Sequence, residues 1–395
     1  MAQTLPLDGV RVVEFCHVVM GPTCGLVLAD LGAEVIKVEP LDGDHTRKLV
    51  ASGAGFFPTY NRNKKSLAVD LKSPEGREAV LKLLATADVV TENFRPGAMD
   101  KLGFGYDDVR RLNPRAIYCS LKGFLPGPYD HRTGLDEVVQ MMGGLAYMTG
   151  GRYGPLRAGA SVNDVMGGMF GAIAILAAIH QRHATGEGQY VQSALYENNV
   201  FLMAQHMMEG LMTRKPVVPM PDRIRAWALY DNFKTSDGEL VFVGVVTDTQ
   251  WKVFCEAFDL QKLLADETLK TNPQRVEARP RILPIVTAIF AAMTKQQLMD
   301  KCETLGLPFA PIAKPEDLFD DPHLQASGGL TPVTLLNGEK TRVPVLPIEM
   351  DGQRFGARLD VPRVGEHTRE VLAGLGYDAD AIDRLFGAGV VAANG

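Results

Sequence analysis

Asp164 is the residue of this chain whose position best suits covalent chemistry. It stands at the predicted beginning of a long apolar helix over 165–185, which Asn163 or Asp164 starts and Gly186 ends. Backbone N–H groups and the macrodipole at a helix N-terminus keep a carboxylate ionised, so Asp164 can act as a nucleophile toward an activated acyl group. The alternative is an ordinary N-cap, which is a common role of Asp.

The same predicted helix carries three glycines, Gly167, Gly168 and Gly171. Each glycine in a helix interior costs about 1 kcal/mol relative to alanine. This cost indicates that a ligand, another helix or a second subunit approaches the backbone of the helix closely.

A local group of basic and amide side chains around one aromatic ring is suited to a phosphorylated ligand. Lys72 follows one predicted strand, and the next strand is followed by Asn93, Phe94, Arg95 and Lys101. Because the ends of successive parallel strands meet at one edge of a sheet, we expect these residues to converge there. Cations beside an aromatic ring suit a phosphorylated adenine nucleotide, with Phe94 stacked on the base. For each lysine singly, the alternative is a solvated surface position.

The turn after the first predicted strand contains His17, which either contacts a ligand or lies buried with a hydrogen bond to the backbone. The opening βαβ unit is typical of dinucleotide-binding folds, and Glu39 stands where a ribose-binding carboxylate would. However, the turn over 16–22 lacks the closely spaced glycines of that fingerprint. The sequence also has neither a GxSxG nucleophile elbow nor a P-loop.

The composition is that of a globular protein. The 395 residues are 46% hydrophobic and 22% charged with a net charge of −6, so a disordered chain is excluded and no basic field for nucleic acid or membrane exists. The chain has no run of about 18 uncharged apolar residues, so no transmembrane helix is expected. Residues 1–9 do not resemble a secretory signal. Five scattered cysteines without a CxxC pair predict reduced thiols, a cytoplasmic location and no zinc site.

The candidate residues are positioned by strands and helices that alternate in the first half of the chain. The predicted strands are 10–15, 34–39, 66–71, 88–90, 116–121 and 189–195. The predicted helices are 21–31, 74–85, 106–112 and 165–185. Such alternation predicts an α/β fold with a mostly parallel sheet and helices on both of its faces.

A second, smaller α+β domain is predicted over 228–328, after a linker at 214–227. It begins with a hairpin at 228–246. The helices predicted in the rest of the chain are 251–258, 280–290, 295–305, 367–375 and 379–386. The part before the linker is 1–213, and the part after the small domain, 329–395, is β-rich at first.

Five segments of the sequence, in the same order, resemble class III CoA-transferases, the CaiB/BaiF family. They are residues 7–40, 61–76, 92–124, 158–191 and 365–377. The first reads LDGVRVVEFCHVVMGPTCGLVLADLGAEVIKVEP, and the fourth reads AGASVNDVMGGMFGAIAILAAIHQRHATGEGQYV. The resemblance implies a Rossmann-like large domain built from both ends of the chain, a smaller middle domain, and a homodimer of two interlocked chains.

The resemblance implies that Asp164 is the catalytic nucleophile of a CoA-transferase. Its carboxylate would attack the donor thioester to form an anhydride, and the released CoA thiolate would then form an aspartyl-CoA thioester. CoA is then a substrate, and no tightly bound cofactor is expected. The residues implied for CoA binding are Lys72, Asn93, Phe94, Arg95 and Lys101. The residues implied for the acyl pocket are His17, Val18, Val19, Arg47 and Asp136.

One departure from the family pattern favours transfer over racemisation. The racemases of the family carry a Gly-His-Asp triplet, where this chain has Gly134-Leu135-Asp136. Leucine cannot exchange a proton, so racemisation would lack one of its two acid–base groups. An acyl-CoA racemase or isomerase, and a CoA-binding protein without activity, remain the alternatives.

A second departure concerns the acids that are exchanged. Members of the family that act on oxalate carry a glutamine where this chain has Val19 and a polyglycine loop where it has 220–227. We therefore expect CoA transfer from succinyl-CoA to a dicarboxylate or a related acid. Arg47, Arg152 or Arg225 would bind the distal carboxylate. The expected partners are acyl-CoA and a free carboxylic acid, with no nucleic acid and no membrane.

Overall fold

The structure is a computed structural model that describes residues 4–223 and 225–393 of the chain. The chain divides into two compact units. Residues 1–221 and 322–395 form the first unit, so both ends of the chain contribute to it, and residues 222–321 form the second.

The segment predicted as a linker, 214–227, is divided between the two units after Pro221. Its first part is attached to the first unit, because the N–H of Met220 donates to the carbonyl of Met148 at 2.9 Å. The hydroxyl of Tyr147 also donates to the carbonyl of Val217 at 3.3 Å. The compact unit, residues 222–321, begins and ends a few residues before the small domain predicted at 228–328, whose limits remain a prediction.

Strands and helices alternate along the part of the chain that the structure describes. The strands are β1 (Arg11–Phe15), β2 (Glu34–Glu39), β3 (Lys64–Val69), β4 (Val89–Glu92), β5 (Ile117–Lys122), β6 (Tyr190–Ala194), β7 (Leu229–Lys234), β8 (Leu240–Val245), β9 (Phe309–Pro311), β10 (Leu330–Thr334), β11 (Lys340–Pro344), β12 (Glu349–Met350), β13 (Gln353–Arg354) and β14 (Val391–Ala392).

The α-helices are α1 (Met20–Asp30), α2 (Phe56–Tyr60), α3 (Pro74–Ala85), α4 (Ala98–Leu102), α5 (Tyr106–Leu112), α6 (Asp136–Met142), α7 (Leu145–Gly150), α8 (Val162–Thr185), α9 (Leu195–Thr213), α10 (Asp248–Ala257), α11 (Gln261–Leu264), α12 (Asn272–Glu277), α13 (Arg279–Ala291), α14 (Lys295–Thr304), α15 (Pro322–Ala326), α16 (Thr368–Gly374) and α17 (Ala379–Gly387). Short 3-10 helices span His45–Lys48, Ala51–Gly53, Gly151–Tyr153, Glu267–Leu269 and Pro315–Asp320.

The first unit is built on a seven-stranded sheet with the order β14-β3-β2-β1-β4-β5-β6. Neighbouring strands from β3 to β6 are parallel, and only the short β14 pairs antiparallel, with β3. The prediction of an α/β fold with a mostly parallel sheet is therefore confirmed. The strand order reverses at β1, whose neighbours are β2 and β4. Ligands of open α/β sheets bind in the crevice at the carboxyl ends of the strands at such a reversal point.

The interior of this sheet contains charged groups as well as apolar residues. Glu14 on β1 is fully buried, and its carboxylate lies 2.9 Å from the Nζ of Lys64 and 3.7 Å from the Nζ of Lys37. Lys37 also pairs with Asp44 at 2.9 Å. Buried charges are tolerated when they are paired and hydrogen-bonded. The network therefore joins β1, β2 and β3.

Helix α8 packs against α1 at very close range. A Cβ added at Gly168 would lie 2.6 Å from the carbonyl oxygen of Met20 and 2.9 Å from the backbone nitrogen of Cys24. Gly171 faces Leu121 of β5 in the same way, with a Cβ at 2.7 Å from the Leu121 side chain. Of the three explanations for the glycines, a neighbouring helix accounts for Gly168, which faces α1. Gly171 instead faces a strand of the sheet.

Within the described residues, α8 is also long and apolar enough to cross a membrane by length and composition, and the sharply bent pair α13 and α14 passes the same test jointly. The expectation that no segment of the chain is long and apolar enough to cross a membrane therefore does not hold for α8 by this criterion. One face of α8 packs closely on α1 and β5, whereas Met169 and Ile173 on another face are exposed in a single chain.

The boundaries of two helices near Asp164 differ from the prediction. Helix α8 begins at Val162 with Ser161 at the N-cap position, so neither Asn163 nor Asp164 is the cap. The helix α9 was not predicted, since its apolar residues do not alternate with a polar face. Phe201 and Leu211 on α9 are 67% and 70% exposed in the first unit.

The second unit is a small α+β structure with its own core. Strands β7, β8 and β9 form an antiparallel sheet in that order, and β7 and β8 are the predicted hairpin. Trp251, Phe254 and Phe290 are buried against this sheet with Leu298. The observed α10, α13 and α14 lie within a few residues of the predicted helices.

The C-terminal segment returns to the large sheet after two hairpins, β10–β11 and β12–β13. Helices α16 and α17 follow, and β14 then pairs with β3, with Val391 opposite Val69. Val371, Leu372 and Leu385 join the same hydrophobic core as the strands of the N-terminal part. The sheet is thus completed by residues from both ends of the chain.

Candidate active site

The carboxyl ends of β1, β4 and β5 and the beginning of α8 surround a cavity of about 310 Å³. Of the candidate residues from the sequence, those that line it are His17, Val18, Val19, Asn93, Phe94, Arg95, Asp136 and Asp164. Leu121, Gly123 and Leu195 form part of its apolar wall. The cavity therefore lies at the reversal point of the sheet, where a ligand is expected.

Asp164 lies in the first turn of α8, with its side chain toward this cavity. Burial and, to a smaller extent, the nearby charge of Asp136 raise the pKa of Asp164 to about 7, although Arg157 acts in the opposite direction. Among the described residues, no hydrogen bond to the carboxylate of Asp164 is found. The group is thus available to react, and its ionised form is sparingly solvated.

Asp136 provides the N-terminal cap of α8 from a distant part of the chain. Its Oδ1 accepts from the backbone N–H of Asn163 at 2.8 Å and of Asp164 at 3.4 Å. Its Oδ2 accepts from the Nε2 of Gln140 at 2.6 Å. The first N–H groups of a helix lack partners within the helix, so an external carboxylate satisfies them well. Asp136 therefore takes over the capping role that was the alternative reading of Asp164.

Arg157 lies beside both acids and was not singled out from the sequence. Its Nη2 is 3.4 Å from Oδ2 of Asp136 and donates to Oγ of Ser161 at 3.1 Å. An arginine in an irregular, glycine-rich segment is not part of any sequence pattern that would mark it as a site residue. Tyr60 was also not predicted as a site residue. Burial raises the pKa of its hydroxyl, and the charge of Asp164 adds to this rise. The two residues come together with Asp164 only through the tertiary structure.

The turn that carries His17 is held in a strained conformation. Val18 has a φ of 64°, a left-handed conformation that is unfavourable for a β-branched residue. The side-chain amide of Asn93 donates to the carbonyl of His17 at 2.8 Å and accepts from its N–H at 3.0 Å. The hydroxyl of Thr46 accepts from the N–H of Val18 at 2.9 Å. Asn93 thus fixes this turn, which is a different use of its amide from the CoA contact expected from the resemblance.

His17 itself stacks on Phe94, with ring centroids 5.5 Å apart. Burial lowers the pKa of His17, so the imidazole is neutral at pH 7. Both rings line the 310 Å³ cavity and a neighbouring one of about 320 Å³. The stacked pair therefore forms the partition between the two spaces.

Helix α1 begins in the same wall. Val19 is its N-cap residue and Met20 its first residue, and no side chain caps it. The first backbone N–H groups of a helix have no intrahelical acceptor. They are suited to stabilise a negative oxygen that develops near Asp164.

Three adjoining cavities form an elongated crevice. The 310 Å³ cavity shares Arg95 and Lys122 with a third one of about 380 Å³, and shares His17 and Phe94 with the cavity of about 320 Å³. An elongated ligand with an anionic part fits this arrangement, since Arg95 stands where two of the spaces meet. Lys72 and Lys101 are exposed and do not line these three cavities.

The three arginines expected to bind a distal carboxylate lie elsewhere. Arg47 is a correction: its guanidinium pairs with Glu39 at 2.7 and 2.9 Å, donates to the carbonyl of Pro362, and stacks over Phe57. Arg152 donates to the carbonyl of Pro221 and is not part of the cavity wall. Arg225, in the second unit, lies 3.5 Å from Asp231.

The arrangement is suited to nucleophilic chemistry on an acyl group. It combines a carboxylate that ionises near neutral pH, backbone donors at the beginning of α1, and a crevice of sufficient length for a large leaving group. Within residues 4–223 and 225–393, no three His, Cys, Asp or Glu side chains are grouped closely enough to hold a metal ion.

Comparison with known proteins gives consistent matches. The sequence model of CoA-transferase family III matches residues 7–368. A succinate–glutarate CoA-transferase of Agrobacterium fabrum is 36% identical, over 94% of this chain and 96% of that protein. The succinyl-CoA:glutarate CoA-transferase of Mus musculus is 34% identical, over 98% of this chain and 90% of that protein. The crystal structure of a CaiB/BaiF family protein from Brucella suis superposes with a TM-score of 0.85 at 33% identity, covering 94% of this chain and all of that one.

Proposed function

Because this chain belongs to CoA-transferase family III, we propose that it transfers CoA from succinyl-CoA to a free dicarboxylic acid through acylation of Asp164. The resemblance to class III CoA-transferases is confirmed by the family match, and the chain is a CoA-transferase. The relatives named for succinyl-CoA and glutarate support the choice of acids. The observation that carries the mechanism is the half-buried carboxylate of Asp164, which lines the cavity at the reversal point of the sheet.

The first half of the reaction loads CoA onto the enzyme. The ionised carboxylate of Asp164 attacks the carbonyl carbon of the donor thioester, the C–S bond breaks, and CoA leaves as a thiolate. The product is an anhydride between Asp164 and the donor acyl group. The thiolate then attacks the Asp164 carbonyl, which expels the donor acid as a carboxylate and leaves an aspartyl-CoA thioester.

The second half repeats these steps in reverse. The acceptor carboxylate attacks the aspartyl thioester, CoA leaves again as a thiolate, and a new anhydride forms. The thiolate attacks the acceptor carbonyl, which releases the new acyl-CoA and regenerates Asp164. Each step exchanges one acyl bond for another, so the free energy of the thioester is conserved and no ATP is needed.

The other residues of the cavity hold and stabilise these species. The backbone N–H groups at the beginning of α1, by Val19 and Met20, line the same cavity and would stabilise the oxygens that become negative. Asp136 holds the first turn of α8 and, by its charge, destabilises ionised Asp164 before acylation, which removes the repulsion. Arg95 and the ring of Phe94 lie along the path of the CoA chain. Lys72 and Lys101, exposed beyond the cavities, attract its phosphates.

We further propose a cytoplasmic homodimer with interlocked chains, in which 1–213 and 329–395 form the large domain. The apolar residues that α9 exposes support a subunit interface. All five cysteines are buried and free, which supports a reducing compartment.

The proposal is tested by incubating the enzyme with succinyl-CoA and glutarate and measuring glutaryl-CoA and intact protein mass. We expect new thioester without ATP and, in quenched samples, a covalent adduct on Asp164. The Asp164→Ala variant should lose at least about 10³-fold in kcat, since the residual rate would need a different nucleophile. Asp107→Ala is the matched control, because Asp107 is an exposed acid in the first turn of α5. Full activity of the Asp164→Ala enzyme would end the assignment.

A further inference from the structure

The wall of the Asp164 cavity carries four basic and four acidic side chains. The cationic side chains on its wall are Arg95, Lys122, Arg132 and Arg157. Lys122 is fully occupied, because its Nζ lies 2.7 Å from Glu92 and donates to the carbonyl of Phe94 at 2.6 Å. Arg95 and Arg132 are exposed, and the guanidinium of Arg132 lies over the ring of Tyr129. These two arginines belong to the outer part of the crevice.

Arg157 is the cation next to the two carboxylates, and its hydrogen-bonding capacity is not filled. Its Nε is buried without a partner among the described residues. Its contact with Asp136 is long, at 3.4 Å, and Asp136 is already satisfied at shorter distance by Asn163 and Gln140. A buried polar group without a partner in a folded protein calls for an explanation, and a ligand is one.

The side-chain amide of Asn163 shows the same property one residue before Asp164. Both its Nδ2 and its Oδ1 are buried without partners in the described part of the chain. Unfilled polar groups therefore occur on both sides of the first turn of α8. Asn163 is fully buried and does not line the cavity, so of these two residues it is Arg157, which does line it, that a substrate can meet.

We propose that Arg157 binds the second, non-reacting carboxylate of the dicarboxylic substrate and thereby sets the preference for diacids. The inference rests on the proposed function, since it assigns the recognition of the acid that exchanges at Asp164. A dicarboxylate brings two negative charges to a cavity that already contains Asp136 and Asp164. A guanidinium can pair with a carboxylate through two parallel hydrogen bonds, and Arg157 has donors to spare for this.

This role differs from the one expected for Arg47 and Arg152, which belong to the same unit as the cavity but do not line it. It also differs from a purely electrostatic effect on Asp164. Arg157 lowers the pKa of Asp164 for every substrate alike. Recognition of a second carboxylate, in contrast, affects only those substrates that have one. The ratio of activities on matched acids with one and two carboxylates therefore separates the two roles.

The experiment uses the full-length enzyme and two pairs of substrates that differ by one carboxylate. The donors are succinyl-CoA and butyryl-CoA, followed through the adduct on Asp164, and the acceptors are glutarate and pentanoate, followed through the new thioester. We expect Arg157→Met to lower the ratio of kcat/KM for diacid over monoacid by about 30-fold or more in both pairs. The Arg132→Gln variant is the control, and it should change the activities on both members of each pair by similar factors.

An unchanged ratio in Arg157→Met, with the parent enzyme active, overturns the inference and leaves the proposed function intact. The absence of an Asp164 adduct in the parent enzyme with either donor contradicts the proposed function itself. Thermal unfolding shows whether the methionine variant folds. If it does not, Arg157→Lys is decisive: a ratio below that of the parent supports the assignment, and an unchanged ratio rejects it.

Discussion

Asp164 must be ionised to attack, and its surroundings oppose this. Burial and the charge of Asp136 raise its pKa to about 7. Since the carboxylate is the reactive form, kcat/KM should rise with pH up to about this value and then level off. The profile in the acid range therefore reports the ionisation of the nucleophile.

Replacing Asp136 by asparagine removes a negative charge next to Asp164 and keeps an oxygen that can accept from the N–H of Asn163. A neighbouring negative charge raises the pKa of an acid, so its removal should move the acid limb of kcat/KM to lower pH. The shift is partial, because burial is the larger cause. The pH profile of initial rates measures it. Glu137→Gln, one residue further on α6 and exposed, should leave the limb in place, and an unmoved limb in Asp136→Asn would contradict the coupling.

Asn93 is expected to act through the backbone of His17. The Asn93→Ala variant loses both hydrogen bonds to His17, so Val18 can leave its left-handed conformation. We expect a loss of about 10- to 100-fold in kcat from misplacement of the turn, with CoA affinity much less affected. Turnover assays and calorimetric titration with CoA separate these effects. Asn232→Ala, at an exposed position of β7, is the control, and a loss in CoA affinity alone would favour the direct contact.

The sequence could identify Asp164 because a lone acid ahead of a glycine-bearing apolar helix is a local pattern. It could not distinguish nucleophile from cap, because the cap comes from Asp136, on another helix. Arg157 shows the same limit, since a loop arginine has no periodicity to reveal its partners. Arg47 lies near a strand of the site, but its guanidinium is buried against Glu39, and the sequence does not reveal this pairing.

At the scale of elements, the contact of α8 with α1 fixes the height of Asp164 above the sheet. A methyl group at Gly168 would collide with the backbone at Met20 and Cys24, which cannot yield as a flexible side chain does. We expect Gly168→Ala to lower the free energy of unfolding by about 1–3 kcal/mol and to reduce turnover. Gly374→Ala is the control, because a Cβ there meets open space on α16. Denaturant titration measures both, and equal stability of the two variants would contradict the close contact.

Most elements of the first unit follow from local pattern, and the exceptions have a physical cause. The observed ends agree with the prediction for the strand over 34–39 and for the helices over 74–85 and 106–112. For the two helices, the reason is that Ser73 and Gly105 mark the helix starts in the sequence. Helix α9 was missed, since its apolar residues lie on more than one side: Met203 is buried, whereas Phe201 and Leu211 are exposed in a single chain. A helix without a separate polar face lacks the periodic pattern by which helices are recognised in a sequence.

At the scale of the whole molecule, α8 and α9 expose apolar side chains that a single chain does not cover. Those on α9 include Phe201, Met208, Leu211 and Met212, and those on α8 include Met169 and Ile173. If two interlocked chains cover them, light scattering should give twice 43.0 kDa, and dilution to nanomolar concentration should not change this mass. Leu211→Glu should reduce the yield of dimer, whereas Gln261→Glu, in the second unit, should not. A mass of 43.0 kDa for the parent would contradict the proposal.

The sheet of the first unit could be predicted as parallel, but not its last strand. Residues 391–392 are too few to give a strand pattern, and their partner is more than three hundred residues away. Pairing over such a distance is decided by the complete tertiary structure.

The antiparallel pairing of β14 with β3 also sets a requirement on biosynthesis. Until the ribosome has made residues 391–392, β3 is the outer strand of the sheet and presents unpaired N–H and C=O groups. Such an edge readily pairs with other nascent chains. We therefore expect β3 to be a site of association between chains whose last residues have not yet been added.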